Sequence, residues 1–439
     1  MTGARNLASA VGADHKQRQG HNAYRGYVLA VLTGVTSLNF LDRIFLGLLL
    51  QPIKVDLRLS DTQMGFLTGI AFALFYATLG IPISRWADRG NRATIATLAI
   101  GLWGLTVMAC LFVTNFVQLL LARIAAAVGE SGCVPPTYSL VGDYFPKPGE
   151  RVRALALWNA ANPLAVLMGF IGGGWLNQRY GWRMSFFIIG ILGVLMAILV
   201  KLTIAETPRR LAVTQQSIEP DPGITQTVRD LWRQRSMRYL ALGFVLFSTM
   251  GLGLTPWYAA FLNRSHRMST AEVGEWFGLI VGINGIVGMV AGGYIAGRWL
   301  DRNEPRQLRL TALMTALLVP SFALFLLLPQ QREAMLALVP MVLIFNCFSG
   351  PLFALMQRLV PNNRRATALA VVLLLGNLIG QGIGPQVVGV ISDALAPSLG
   401  ADSLRYAMLS MTVTAVGASF FFWRASRTVE RDLEDVQST

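Results

Sequence analysis

Apolar residues fill this chain in stretches of about 20, separated by short polar loops rich in arginine. A stretch of that length with few charges is what a helix needs to cross the hydrocarbon core of a bilayer. Twelve spans are predicted. The first six cover approximately 27–50, 62–84, 93–113, 117–141, 152–176 and 184–204. The second six cover approximately 238–262, 273–297, 308–328, 334–357, 366–391 and 403–425. Between the sets, residues 205–236 are polar and hold Pro208, Pro220 and Pro222, the composition of a linker. A short surface helix is expected near Thr227–Arg235. The chain then divides into an N-terminal segment 1–24, a six-helix half 25–204, the linker, a second half 237–426 and a tail 427–439. The fold class expected is an all-α membrane protein.

Composition sharpens this picture. The chain is 54% hydrophobic and 14% charged, where a soluble domain carries roughly 25% charged residues. A net charge of +14 would suit nucleic acid if it lay on one surface, but it is spread through loops on alternate sides of the spans. Loops on the side of the N-terminus hold 27 lysines and arginines, the opposite loops 8, and two lie within spans. That excess places both termini and the linker in the cytoplasm and requires an even number of spans. Cys110, Cys133 and Cys347 fall in apolar runs, with neither disulfide nor metal spacing. The first apolar run is too long for a cleavable signal.

Two repeats reveal an internal duplication. Arg85-Trp86-Ala87-Asp88-Arg89 follows span two, and Arg298-Trp299-Leu300-Asp301-Arg302 follows span eight, 213 residues later. A second pair, Phe145-Pro146 to Leu155-Ala156 before span five and Val360-Pro361 to Leu369-Ala370 before span eleven, recurs at nearly the same offset. Two related halves of six spans are an architecture found mostly in transporters.

On these residues the chain resembles the major facilitator superfamily, whose signature loop runs roughly Gly-x-Leu-Ala-Asp-Arg-x-Gly-Arg-Arg. Ala87-Asp88-Arg89 and Arg92 match it, while Ser84, Trp86 and Asn91 depart from it. Within the superfamily the chain is similar to the spinster-type lipid transporters, through Asn39-Phe40-Leu41-Asp42-Arg43, Arg123-Ile124-Ala125 to Gly129-Glu130-Ser131, and Asp88 to Arg92. An Asp-Arg pair in span one also resembles organic-anion and hexuronate transporters. The resemblance implies alternating access. It also implies a latch on the cytoplasmic side formed by Asp88, Arg89, Arg92, Asp301 and Arg302, closed when the cavity faces outward. Eukaryotic members resemble exporters of sphingosine-1-phosphate or lysophospholipids. The compact chain suggests a bacterial member in the inner membrane, working as a monomer.

Ionisable residues inside spans are costly and mark pathways. Asp42 and Arg43 in span one and Arg123 and Glu130 in span four are such residues. Asp42 and Arg123 lie at similar depth if span one runs outward and span four inward. Glu130 follows Arg123 by seven residues, close to two turns, so both face one side. A static ion-pair cluster holding the half together is one reading. The other assigns Asp42 and Glu130 to proton coupling and Arg43, Arg123, Asn39, Trp257 and Asn377 to the substrate.

The second half carries no ionisable residue in the interiors of its spans but offers Thr255, Pro256, Trp257, Phe345, Asn346, Phe348, Phe353, Asn377 and Gln381. One charged and one apolar, aromatic wall would suit an anionic amphiphile; small organic acids or drugs are the alternative cargo. A receptor or scaffold on the same fold would be expected to lose the intramembrane charges or the loops, and both are intact. An enzyme is not expected. No nucleotide loop, metal-ligand cluster or Ser/His/Asp set is present, and His15, His21 and His266 lie outside the spans. No cofactor or metal is implied, the proton being the expected coupling ion, with substrate and bilayer as the partners.

Overall fold

The computed structural model describes residues 2–206, 229, 232–299, 303–361 and 365–437; of residues 2–21 and a few others, Asp88 among them, only the backbone is described. The described chain is helical throughout. Among the described residues, ten stretches are long and apolar enough to cross a membrane. Spans one to four are Asn22–Leu48, Asp61–Ala87, Arg92–Phe112 and Phe116–Tyr144. Spans seven to ten are Arg235–Leu254, Thr270–Ile295, Glu304–Leu327 and Gln331–Arg358.

The remaining stretches, Pro148–Thr203 and Thr367–Ala425, run 56 and 59 residues. A straight helix of that length would reach roughly 80–90 Å, nearly three bilayer cores. Each breaks at a glycine with positive φ, Gly181 (φ 76°) and Gly400 (φ 54°), a conformation other residues adopt at a cost. Each therefore supplies two crossings, spans five and six and spans eleven and twelve.

Polar caps start the helices where the sequence leaves water. Ser60 and Gln63 form a capping box before span two, and Asn91, Asn115 and Asn303 accept from the first turns of spans three, four and nine. Inside the bilayer the helices are interrupted in matching places. Span four ends one helix at Ser131 and restarts at Val134, and span ten does the same between Cys347 and Ser349. Spans five and eleven each carry a π-helical turn, Met168–Gly172 and Leu378–Ile383. The halves repeat in their distortions as well as in their loops. Within the halves span three packs on span six and span seven on span twelve. Between them span two packs on span eleven, span five on span eight, and span one on the helix Trp257–Ser265 that continues span seven past Thr255 and Pro256.

Candidate functional site

A cavity of about 710 Å³ lies between the halves, within the roughly 300–1,000 Å³ of small-molecule sites. Span one contributes Phe40 and Arg43 to its wall, span two Thr68, Phe72 and Tyr76, and span four Arg123 and Ser131. The second half contributes Leu252, Thr255 and Pro256 from span seven and Leu374, Asn377, Leu378 and Gln381 from span eleven.

The four intramembrane charges form two ion pairs. Arg123 Nη1 donates to Asp42 Oδ2 at 2.5 Å, and Arg43 Nε donates to Glu130 Oε2 at 3.0 Å. Both pairs join span one to span four. Asp42, Arg123 and Glu130 are at most 3% exposed, whereas the Arg43 side chain is 23% exposed and faces the cavity. Burial of a charge is tolerable only with a partner of opposite sign. Hydrogen bonding here is incomplete even so: Asp42 Oδ1, Glu130 Oε1, Arg43 Nη2 and Arg123 Nε have no protein partner among the described residues.

Asn39, an expected substrate contact, is 1% exposed and stands off the cavity wall. Its Nδ2 donates to the Glu130 main-chain carbonyl at 3.3 Å. That carbonyl lies where the helix of span four breaks. Asn39 and Arg43, one turn apart on span one, thus hold the backbone and the side chain of the same glutamate. Trp257 also departs from expectation. It is fully buried and donates from Nε1 to the Pro385 carbonyl at 3.1 Å, fastening span seven to span eleven. Asn377 does face the cavity.

The expected aromatic wall is reversed. Phe345 stacks on Phe247 at 4.4 Å and Phe353 meets Phe244 at 5.2 Å, so these rings pack inside the second half. The cavity's aromatic residues, Phe40, Phe72 and Tyr76, stand on the charged wall. Periodicity alone gives a ring the same signal whether it meets a ligand or a neighbouring helix.

Of the loop charges, Arg92 pairs with Asp143, tying the start of span three to the end of span four. Glu304 and Arg358 repeat that tie in the second half at 2.7 Å, with the charges exchanged. Arg89 is exposed. The side chain of Asp88, and Asp301 and Arg302 entirely, lie outside the described residues.

A clasp between the halves, on the face away from the linker, was not anticipated from the sequence. Asp61 at the start of span two is 2% exposed. It accepts two hydrogen bonds from Arg264 (2.7 and 2.6 Å), one from Lys54 (2.6 Å) and one from Ser392 (2.6 Å). The backbone amides of Asp61 and Thr62 donate in turn to Asp393, at 3.0 and 2.7 Å. Arg264, Ser392 and Asp393 belong to the second half, so the two halves are clasped there. His266, two residues beyond Arg264, has its pKa lowered by burial and by the Arg405 charge. Asp61 and Arg264 are separated by 203 residues and read as ordinary loop charges; the one available hint was an arginine within two residues of an apolar run.

Residues 32–385 match the Major Facilitator Superfamily. The chain belongs to this superfamily. It is 34% identical over 432 residues to an MFS-type efflux pump of Mycolicibacterium smegmatis, covering 97% of this chain and 98% of that one. It is 28% identical to human protein spinster homolog 1 over 428 residues, 91% of this chain and 80% of the human protein. Its fold matches a bacterial homolog of the human lysosomal transporter spinster, solved inward-facing and unoccupied, with TM-score 0.82, 29% identity and coverage of 93% and 98%. The protein is thus a spinster-like secondary transporter, integral to the membrane and multi-pass, and not an enzyme.

Proposed function

We propose that this transporter carries an anionic amphiphile by alternating access, coupled to protons through Glu130 and Asp42. The observation that carries the reading is the two-sided cavity. Arg43 and Arg123 stand on one wall, and Leu252, Leu374 and Leu378 on the other. An anionic head pairs with the first while an apolar tail covers the second. Asn377 and Gln381 give the head polar neighbours from span eleven.

Coupling follows from competition for the arginines. Each arginine already neutralises a carboxylate. An arriving anion draws Arg43 from Glu130, and a buried carboxylate without its cation takes up a proton instead. Anion and proton binding are then linked, and by reciprocity each strengthens the other. The distribution of loop charges supports cytoplasmic termini and linker. With the clasp at Asp61 closed, the cavity opens to the cytoplasm, and the likeness to an inward-facing homolog supports the same assignment. A second reading, a small organic anion or drug as cargo, draws on the identity to an efflux pump.

The test is ligand-dependent thermal stabilisation at two pH values with lysolipids, sphingoid phosphates, organic acids and neutral drugs. Single-chain anionic lipids should stabilise the protein, and Arg43→Ala should abolish the effect. Stabilisation by neutral compounds alone, unchanged in Arg43→Ala, would overturn the proposal.

A further inference from the structure

Arg43 is the more exposed of the two arginines of the quartet that line the cavity, and it is held there twice. One hold is the ion pair to Glu130. The other is aromatic. The guanidinium carbon lies 4.5 Å from the centre of the Phe72 ring and 4.6 Å from that of Tyr76. The two rings sit one turn apart on span two and stack on each other at 5.5 Å, with 23° between their planes. Both line the cavity. Phe72 also lies 5.6 Å from the Arg123 guanidinium, so one ring adjoins both arginines. Phe40, at 6.0 Å from Arg43, stands farther off.

These holds differ in one respect. A carboxylate can be neutralised by a proton, and a ring face cannot. An arginine that loses its ion pair beside a wet cavity is drawn toward water, away from the geometry in which it meets a ligand. Aromatic faces attract a cation at every pH in this range and keep a planar guanidinium parallel to them.

We propose that Phe72 and Tyr76 form a two-ring shelf that keeps the Arg43 guanidinium at the cavity wall once Glu130 releases it, and that this shelf sets the preference for an anionic over a neutral headgroup. The inference rests on the reading that Arg43 meets the anion of the substrate. Phe72 and Tyr76 are positioning residues: they act through Arg43. An arginine left free to swing would no longer favour an anion fixed by its tail in the opposite wall.

The test uses the full-length protein in nanodiscs with two probes of equal tail, palmitoyl lysophosphatidate and monopalmitoyl glycerol. Phe72→Leu and Tyr76→Leu should each weaken lysophosphatidate binding about fivefold to tenfold, with the neutral probe changed less than about twofold. The loss should grow as pH falls, because the rings are then the remaining hold. Tyr76→Phe should retain most of the selectivity. Tyr76→Met, at the half-buried ring, serves if Phe72→Leu fails to fold. Equal weakening of both probes, or a loss independent of pH, would make the rings mere packing and overturn the inference. Arg43→Ala separates the two claims. If it leaves selectivity intact, the reading of Arg43 falls and the shelf with it. If it collapses selectivity while the leucine variants do not, the shelf alone is wrong. A wild-type protein that does not distinguish the probes overturns both.

Discussion

Arg123 and Asp42 are an ion pair with almost no exposure, and such a pair is expensive to break on one side. Removing one partner of a buried pair costs about 3–5 kcal/mol, because a bare charge remains. Arg123→Ala should therefore lower the melting temperature more than Arg43→Ala, whose site opens to the cavity. Adding Asp42→Asn to Arg123→Ala should recover part of the loss; thermal unfolding of the three variants checks this, and a further drop in the double variant would show that the two side chains are not paired. Arg123→Lys should keep the fold but bind an anion less well, since an ammonium lacks the fork of the guanidinium. Proton coupling is tested at the carboxylates. Glu130→Gln and Asp42→Asn should abolish uptake driven by an imposed pH gradient in liposomes, while anion binding persists. If both variants respond to the gradient as wild type does, the coupling ion or its site is a different one.

Span two shows how an element carries the transition between states. Its helix breaks at Gly69 (φ −106°, ψ −97°), where the chain passes the π-helical turn of span eleven. A Cβ on Gly65 would stand 2.5 Å from the Pro385 carbonyl oxygen, and one on Gly69 would press on the Gly382 carbonyl. Backbone cannot yield as a flexible side chain does, so the two spans meet this closely only without side chains at these positions. Gly65→Ala and Gly69→Ala should hold the halves apart on that face and favour the outward-open state. A cysteine at Thr255, in a background lacking the three native cysteines, should then react several-fold faster with an impermeant maleimide added from outside. An unchanged rate would detach the glycines from gating. Much of this element was legible beforehand: its apolar length, its charged end at Arg85 to Arg92 and its repeat in span eight all stand in the sequence. The quartet of charges was legible for the same reason, since a charge among apolar residues has one obvious significance. The partners of Asp61, Trp257 and Phe345 were not. Their roles depend on contacts between distant spans, and hydrophobic periodicity reports that a face is buried without reporting what buries it.

At the scale of the whole molecule, we propose that two latches on opposite faces govern one equilibrium. The clasp at Asp61 joins the halves on the side away from the linker. The loop charges Asp88 and Asp301, read from the duplicated motif, would join them on the linker side when that side closes. Each latch favours one state only, and an interaction shifts an equilibrium by its difference between the two states. Asp61→Asn leaves the Arg264 fork and Lys54 facing a neutral amide, which weakens the state seen here. A change of about 1.4 kcal/mol alters the ratio of states tenfold. Spin labels at exposed Val55 and Leu399 on the clasped face, and at exposed Val152 and Arg298 on the other, would report both sides. Asp61→Asn should lengthen the first distance and shorten the second. Asp88→Asn should do the opposite. Because the two sites lie on opposite faces, their effects on the conformational free energy should add, and the double variant should return toward the wild-type distribution. Wild-type distances in Asp61→Asn would remove the clasp from the gating cycle. A double variant that resembles either single one would mean that the two faces are not governed by a common equilibrium.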